Sequence, residues 1–176
     1  MSEYFITNKG EKSLSKVIQG ILPSKASKLD FLVGYFYFSG IEEIYKNIDD
    51  KKMRILVGLE MDKELQNKTS EFDFFVKKQK SSRQDIREEN YESLVSLFTK
   101  SDFFEGSKQE EAFKIYYEKI KNGTLEIRKT KEPCHAKMYI FSYKEEFAED
   151  GETPGSVITG SSNLSYSGLR GQNEIN

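Results

Sequence analysis

The residues best suited to chemistry lie in the last quarter of the chain. His135, the only histidine, precedes Lys137 by two positions, and Ser161 precedes Asn163 by the same interval. Because alternate residues of a strand face the same side, each interval places two polar groups side by side, about 6.5–7 Å apart at the backbone. An ammonium at that spacing can neutralise a phosphate oxygen while the imidazole approaches phosphorus, and a hydroxyl and an amide can donate hydrogen bonds to the remaining oxygens. The pattern therefore indicates chemistry at a phosphate group.

Two charged residues near the C-terminal end extend the predicted site. Glu174 is suited to accept a hydrogen bond from the far ring nitrogen of His135, which would fix the tautomer of the imidazole. Arg170 follows Asn163 by seven positions, so we expect its guanidinium close to the same phosphate. Taken singly, each motif is weak, since lysine is abundant here and a Gly-Ser pair is common in turns. Their joint occurrence, each after residues with β-strand character, favours a functional site.

These segments together resemble the signature of the phospholipase D superfamily, which is H-x-K followed by G-S-x-N. The resemblance covers residues 135–137 and 160–163, with Glu174 eleven positions after Asn163. One position departs from the pattern, because Ser142 stands five residues after the lysine, where the family often has aspartate. That aspartate is generally considered structural, so the departure bears on the family label more than on the chemistry.

The resemblance implies a role for each residue of the site. His135 would be the nucleophile that forms a phosphohistidine, with Glu174 as its hydrogen-bond partner. Lys137 and Asn163 would bind the phosphate, and Ser161 would assist them. A chain of this family is expected to be a metal-independent phosphodiesterase that needs no cofactor.

The chain supplies one histidine for a reaction that uses two. One imidazole attacks in its neutral form, and a second, protonated imidazole gives its proton to the leaving oxygen. Because His135 has no companion in this sequence, we expect the second histidine to come from another copy of the chain. A two-fold symmetric homodimer presents the same surface twice and would supply both.

The N-terminal part carries a second, looser resemblance. Residues 32–41 look like the phospholipase-D-like modules placed before bacterial helicase motors. The contexts implied are a helicase-linked or restriction-type nuclease that acts on DNA, with a helicase motor domain in the same full-length chain. On this interpretation residues 1–176 are a single phospholipase-D-like domain, the N-terminal fragment of a longer protein.

Apolar periodicity outlines the elements that must position these residues. The first half of the chain predicts a helix over 13–21, buried strands over 29–37 and 53–59, and between them a short helix to about 48, opened by a capping box at Ser39 and Glu42. Strand, helix and strand in this order form a βαβ unit with parallel strands and a right-handed crossover.

The second half predicts the strands that carry the motifs. A charged helical stretch over 62–121, capped by Gly123, precedes strands over 125–129, 135–141 and 156–159, the last two joined by an acidic hairpin loop. The predicted fold class is α/β, a phospholipase-D-like mixed β-sheet flanked by helices, with a helical insertion after the second strand.

Composition places the chain among globular proteins. Hydrophobic residues make up 36% and charged residues 32% of its 176 positions, which suits one domain with a core. The single cysteine excludes an internal disulfide and favours a cytoplasmic location. No apolar run approaches the roughly 20 residues of a membrane span, so no membrane partner is expected. A net charge of −2 argues against holding nucleic acid by bulk charge alone.

Several features receive a plainer interpretation, and rival functions stay open. The basic stretch 77–87 is expected to be a solvated helical face, the aromatic run 35–38 to be core rather than a base-stacking platform, and Cys134 to be a buried strand residue. One histidine, one cysteine and scattered acids do not make a metal site.

A non-catalytic module for nucleic-acid binding or dimerisation, with a degenerate pocket, is the main alternative function. A metal-dependent nuclease is the third, and lipid hydrolysis is disfavoured.

Overall fold

A five-stranded mixed β-sheet organises the chain. The structure is a computed structural model that describes residues 6, 12–63, 65–67, 69–70, 106–147 and 154–171. In these ranges the strands are β1 Ala26–Phe36, β2 Lys52–Met61, β3 Leu125–Lys129, β4 Met138–Tyr143 and β5 Gly155–Thr159, in the spatial order β3-β2-β1-β4-β5. The helices are α1 Leu14–Ile21, α2 Phe38–Ile44 and α3 Ser107–Lys121, with 3₁₀ turns at Tyr45–Asn47 and Glu145–Phe147 and a π-helical turn at Ser167–Gly171. The predicted α/β class, with a mixed sheet flanked by helices, is confirmed.

The strand directions bring several strand ends to one edge of the sheet. β1 pairs in parallel with β2, as does β2 with β3, whereas β4 runs antiparallel to both β1 and β5. The predicted parallel pairing of the first two strands and the predicted hairpin of the last two are therefore confirmed. Because Leu32 and Thr159 both pair with Met138, the carboxyl ends of β1, β2 and β5 lie at the same edge as the start of β4.

One hydrophobic cluster holds the helices against the sheet. It joins apolar residues of all three helices to alternate residues of the strands. In β4, Tyr139 and Phe141 are buried while Met138 and Ile140 are exposed, which is the predicted alternation. The ring of Phe31 in β1 packs edge-on against those of Tyr139 and Phe141, at 4.8 Å and 5.6 Å between centroids. The two halves of the chain thus share one core.

Local chemistry fixes the start of α1 and the end of α3, and of the two only the cap at Gly123 was predicted. Ser13 caps α1 by accepting a hydrogen bond from Lys16 N at 3.3 Å. After α3 the chain turns at Gly123, whose φ is +70°, a conformation that a residue with a Cβ rarely adopts.

The start of α2 differs from the prediction. The helix begins at Phe38, and Ser39 is not its cap. Asp62, directly after β2, accepts a hydrogen bond from Phe38 N at 3.0 Å, while Ser39 Oγ accepts one from Tyr166 N at 3.1 Å. The capping-box prediction was wrong because a residue distant in sequence caps the helix. Ser39 instead ties α2 to the segment after β5.

The helical insertion after β2 is described in part. Helical backbone is present at 63, 65–67 and 69–70, and again in α3. The basic stretch 77–87 lies outside the described residues. Within the described ranges, no helix has the length and apolar character needed to cross a membrane.

Tyr116 of α3 makes the stability of the core sensitive to alkaline pH. Its ring packs near Phe38 and Phe113, and burial raises the pKa of the phenol from 10.0 to about 12. The raised pKa contributes to the free energy of unfolding below pH 10. That contribution is lost as the pH rises toward 12, because the Tyr116 phenol ionises at lower pH in the unfolded chain than in the folded one. We expect the advantage of the wild type over Tyr116→Phe to fall by up to about 3 kcal/mol across that interval. Urea unfolding at the two ends of the interval measures it, and equal pH dependence in both proteins would contradict it.

Candidate active site

The segment that carries His135 is held to β2 by its backbone. Residues 134–137 have no regular secondary structure and precede the strand ladder, so β4 begins later than the predicted strand 135–141. The physical reason is a crossing over β2, where Cys134 N donates a hydrogen bond to Gly58 O at 3.1 Å. A Cβ on Gly58 would overlap the backbone of Cys134, so this close approach requires glycine. Cys134 is accordingly half-buried in the crossing and not within a strand.

Lys137 is buried beside the imidazole. Its side chain is 3% exposed, and Nζ lies 2.9 Å from each ring nitrogen of His135 and donates to the His135 carbonyl oxygen at 2.7 Å. The Lys137 carbonyl oxygen accepts a hydrogen bond from Thr159 Oγ1 at 3.1 Å, which ties this residue to the end of β5. A buried ammonium is tolerated only among polar partners. The spacing of two residues therefore does bring amine and imidazole together, as predicted.

Asn163 is oriented by the backbone of β1. Its Oδ1 accepts a hydrogen bond from Tyr35 N at 2.9 Å. Since a backbone N–H can only donate, Oδ1 is the acceptor of this bond, and the Nδ2 hydrogens of Asn163 are not used in it. The preceding residue is held as well, because Tyr139 Oη donates to Ser162 O at 2.9 Å. The turn after β5 thus holds the Asn163 amide in one orientation.

Gly34 of β1 forms the floor between these groups. A Cβ built on Gly34 would lie 3.2 Å from Asn163 Oδ1, 3.3 Å from His135 Cδ2 and 3.5 Å from Lys137 Nζ. Three of the predicted residues therefore surround one point, against a backbone that carries no side chain. Gly34 was not among the predicted site residues. The available signal was a glycine within a buried strand, which often marks a close approach of another group.

The site is open to solvent on one side. His135 and Ser161 are exposed, Asn163 is half-buried and Lys137 is buried. Ser161 lies in the turn that directly follows β5. A ligand can therefore reach the imidazole of His135 from solvent. The ammonium of Lys137 lies on the interior side of the same site.

Arg170 is engaged elsewhere, contrary to the prediction. Its guanidinium forms an ion pair with Glu43 of α2, whose side chain is 2% exposed, and Lys108 Nζ pairs with the same carboxylate at 2.9 Å. A buried carboxylate needs such cationic partners. With Gln19, these residues line a separate polar cavity of about 500 Å³. Glu174, the predicted partner of the histidine, lies outside the described residues.

Ser142 lies at the far end of β4 from this site. It pairs with Lys28 of β1 and Gly155 of β5, and its carbonyl oxygen accepts a hydrogen bond from Ser27 Oγ at 3.2 Å. The departure from the family pattern therefore does not touch the groups around Gly34.

The aromatic run 35–38 is core only in part. Phe36 and Phe38 are buried as predicted, whereas Tyr35 is half-buried and Tyr37 is 42% exposed. Because alternate residues of an extended segment face the same side, Tyr35 and Tyr37 share the more open side. The ring of Tyr35 meets that of His135 edge-on, with 6.2 Å between centroids and 82° between planes.

Comparisons with known proteins assign the chain to no family. No family model matches the chain, and a search of curated proteins gave no match. Within the described ranges, no group of three or more histidine, cysteine, aspartate or glutamate residues is arranged to hold a metal ion. The chemistry of the site is therefore inferred from its own geometry.

Proposed function

We propose that the chain is a metal-independent phosphodiesterase that cleaves nucleic acid through a phosphohistidine. The observation that carries the proposal is the convergence of His135, Lys137 and Asn163 on one point above Gly34. An exposed imidazole, a buried ammonium and an oriented amide meet the needs of nucleophilic attack on a phosphate. A phospholipase-D-like fold, with this sheet as its core, belongs to the same proposal.

In the proposed first step, non-bridging oxygens of the diester bind Lys137 Nζ and Asn163 Nδ2, with the Ser161 hydroxyl as a further donor. A ring nitrogen of His135 attacks phosphorus. The bond from phosphorus to the leaving oxygen breaks, and that oxygen takes a proton from a second imidazole. Water then attacks the phosphohistidine with the second imidazole as base, which releases a phosphate monoester and restores the nucleophile.

The second imidazole would come from another copy of the chain. His135 is exposed, so two such sites can face each other across a two-fold axis. In each copy, Glu174 would accept a hydrogen bond from the imidazole and hold its tautomer. We further propose DNA as the substrate, in a cytoplasmic helicase-linked or restriction-type enzyme of which residues 1–176 form one domain.

Hydrolysis of a chromogenic phosphodiester by the purified chain in excess EDTA tests this function. Turnover that EDTA does not reduce would support it. Activity that disappears in EDTA and returns with a divalent cation would identify a metal-dependent nuclease instead. Binding of labelled DNA without any turnover would identify a non-catalytic module that keeps the pocket.

A further inference from the structure

Exposed tyrosines continue outward from the proposed nucleophile. The ring of Tyr35 lies edge-on to His135, and it also stacks on Tyr37 with 6.4 Å between centroids and 17° between planes. Tyr37 is 42% exposed, although it stands between two buried phenylalanines. The imidazole and the two phenol rings therefore form a continuous series from the phosphate site to solvent.

The backbone beneath these rings is held by the same segment that carries Asn163. Tyr37 N donates a hydrogen bond to Leu164 O at 3.0 Å, and Phe36 forms an isolated parallel bridge with Leu164. Close by, Tyr166 is 54% exposed, and its backbone N donates to Ser39 Oγ. The aromatic rings and the phosphate-binding amide thus belong to one fixed junction, so a ligand held by one has a defined position relative to the other.

We propose that Tyr37, supported by Tyr35, is a stacking subsite for an unpaired nucleobase next to the phosphate that His135 attacks. This inference rests on the proposed function and names its substrate class as single-stranded nucleic acid or an unpaired end. A base inside a duplex is already stacked on both faces, whereas an unpaired base can stack on an aromatic ring.

The net charge of the chain means that contacts other than bulk charge must contribute to binding any nucleic acid. With a net charge of −2, the chain lacks the bulk positive charge by which proteins usually hold a duplex backbone. Stacking on a phenol ring needs no charge, and it tolerates any base because every base has a π-face. The subsite is therefore expected to require a base without selecting which base.

The test is binding of fluorescently labelled oligonucleotides, followed by anisotropy, in the His135→Ala background to prevent cleavage. Tyr37→Ala should weaken binding of a single strand about tenfold, and Tyr37→Phe, which keeps the ring, should restore it. A strand with abasic sugars should show no such difference between the variants. Phe147 is equally exposed, at 42%, and lies after β4 away from the site. Phe147→Ala is therefore the matched control and should leave binding unchanged.

The outcomes separate this inference from the function on which it rests. Equal affinity of the Tyr37→Ala variant and its parent for a single strand would overturn the subsite, as would tighter binding of a duplex than of its component strand, or no binding of DNA at all. A tenfold effect of Tyr37→Ala together with no diester hydrolysis by the wild type would overturn the enzymatic function and leave the subsite standing.

Discussion

Replacing His135 with alanine is expected to reduce phosphodiester turnover by at least about 10⁴-fold, because the proposed reaction loses both its nucleophile and, in the partner copy, its acid. The imidazole is exposed, so the fold should survive the substitution. Single-turnover and steady-state assays in EDTA measure the loss. Urea unfolding of the variant checks that the loss is chemical and not structural.

Cys134→Ala is the matched control for this substitution. The thiol is the neighbouring side chain and the one other candidate nucleophile in this segment. Its backbone contact with Gly58 does not involve the side chain, so we expect near-wild-type turnover. Activity that vanishes with Cys134→Ala and persists with His135→Ala would transfer the nucleophile to the thiol and end the phosphohistidine proposal.

Mixing subunits tests whether two copies share one reaction. If each turnover needs an imidazole from both copies, refolding equal amounts of wild type and His135→Ala together leaves about a quarter of the dimers active. Independent sites would instead leave half of the activity. A linear dependence of activity on the wild-type fraction would therefore contradict the shared site.

Replacing Lys137 with methionine is expected to lower turnover by about 10²–10³-fold, since it removes a positioned positive charge from the phosphate. Methionine fills a similar volume, and the variant loses the hydrogen bond from Nζ to the His135 carbonyl oxygen. The binding affinity for a phosphate monoester, the expected product, should fall as well. An unchanged rate would place the phosphate away from this amine.

Lys119 provides a control of the same residue type and burial. It is 2% exposed, burial lowers its pKa, and its Nζ donates to the carbonyl oxygens of Asp49 and Lys51 in a region remote from the site. Lys119→Met should therefore change the free energy of unfolding without changing turnover per folded molecule. If Lys119→Met lowered turnover as much as Lys137→Met, the loss would come from replacing any buried lysine and not from the position of Lys137 beside His135.

Local pattern was sufficient to predict most of the sheet. The strand 125–129 has the predicted bounds, and β1 and β2 have the predicted parallel pairing. The predictions that were wrong depend on contacts between distant residues. Asp62 replaces the local cap of α2, and the crossing of residue 134 over Gly58 delays the start of β4. Neither contact leaves a mark in the sequence near the element that it changes.

The residues of the candidate site also differ in whether the sequence could predict their positions. The contact of Lys137 with His135 was expected from a spacing of two residues, although the pair precedes β4 and is held by the crossing over β2 and not by the strand ladder. Arg170 could not be placed, because its position depends on a buried carboxylate on α2. A glycine within a buried strand marks a close approach, but the sequence does not tell that the groups approaching Gly34 come from the segment before β4 and from the turn after β5.

The absence of a side chain at Gly34 also has a consequence for proteins that share this fold. A methyl group at that position would occupy the volume where the amine, the imidazole and the amide meet. If these groups bind an anion as we propose, a chain that keeps all three motif residues is expected to bind it less well when a larger residue stands there. The residue at this position is therefore expected to distinguish chains that keep the proposed activity from chains that have lost it, even when both carry the same motifs.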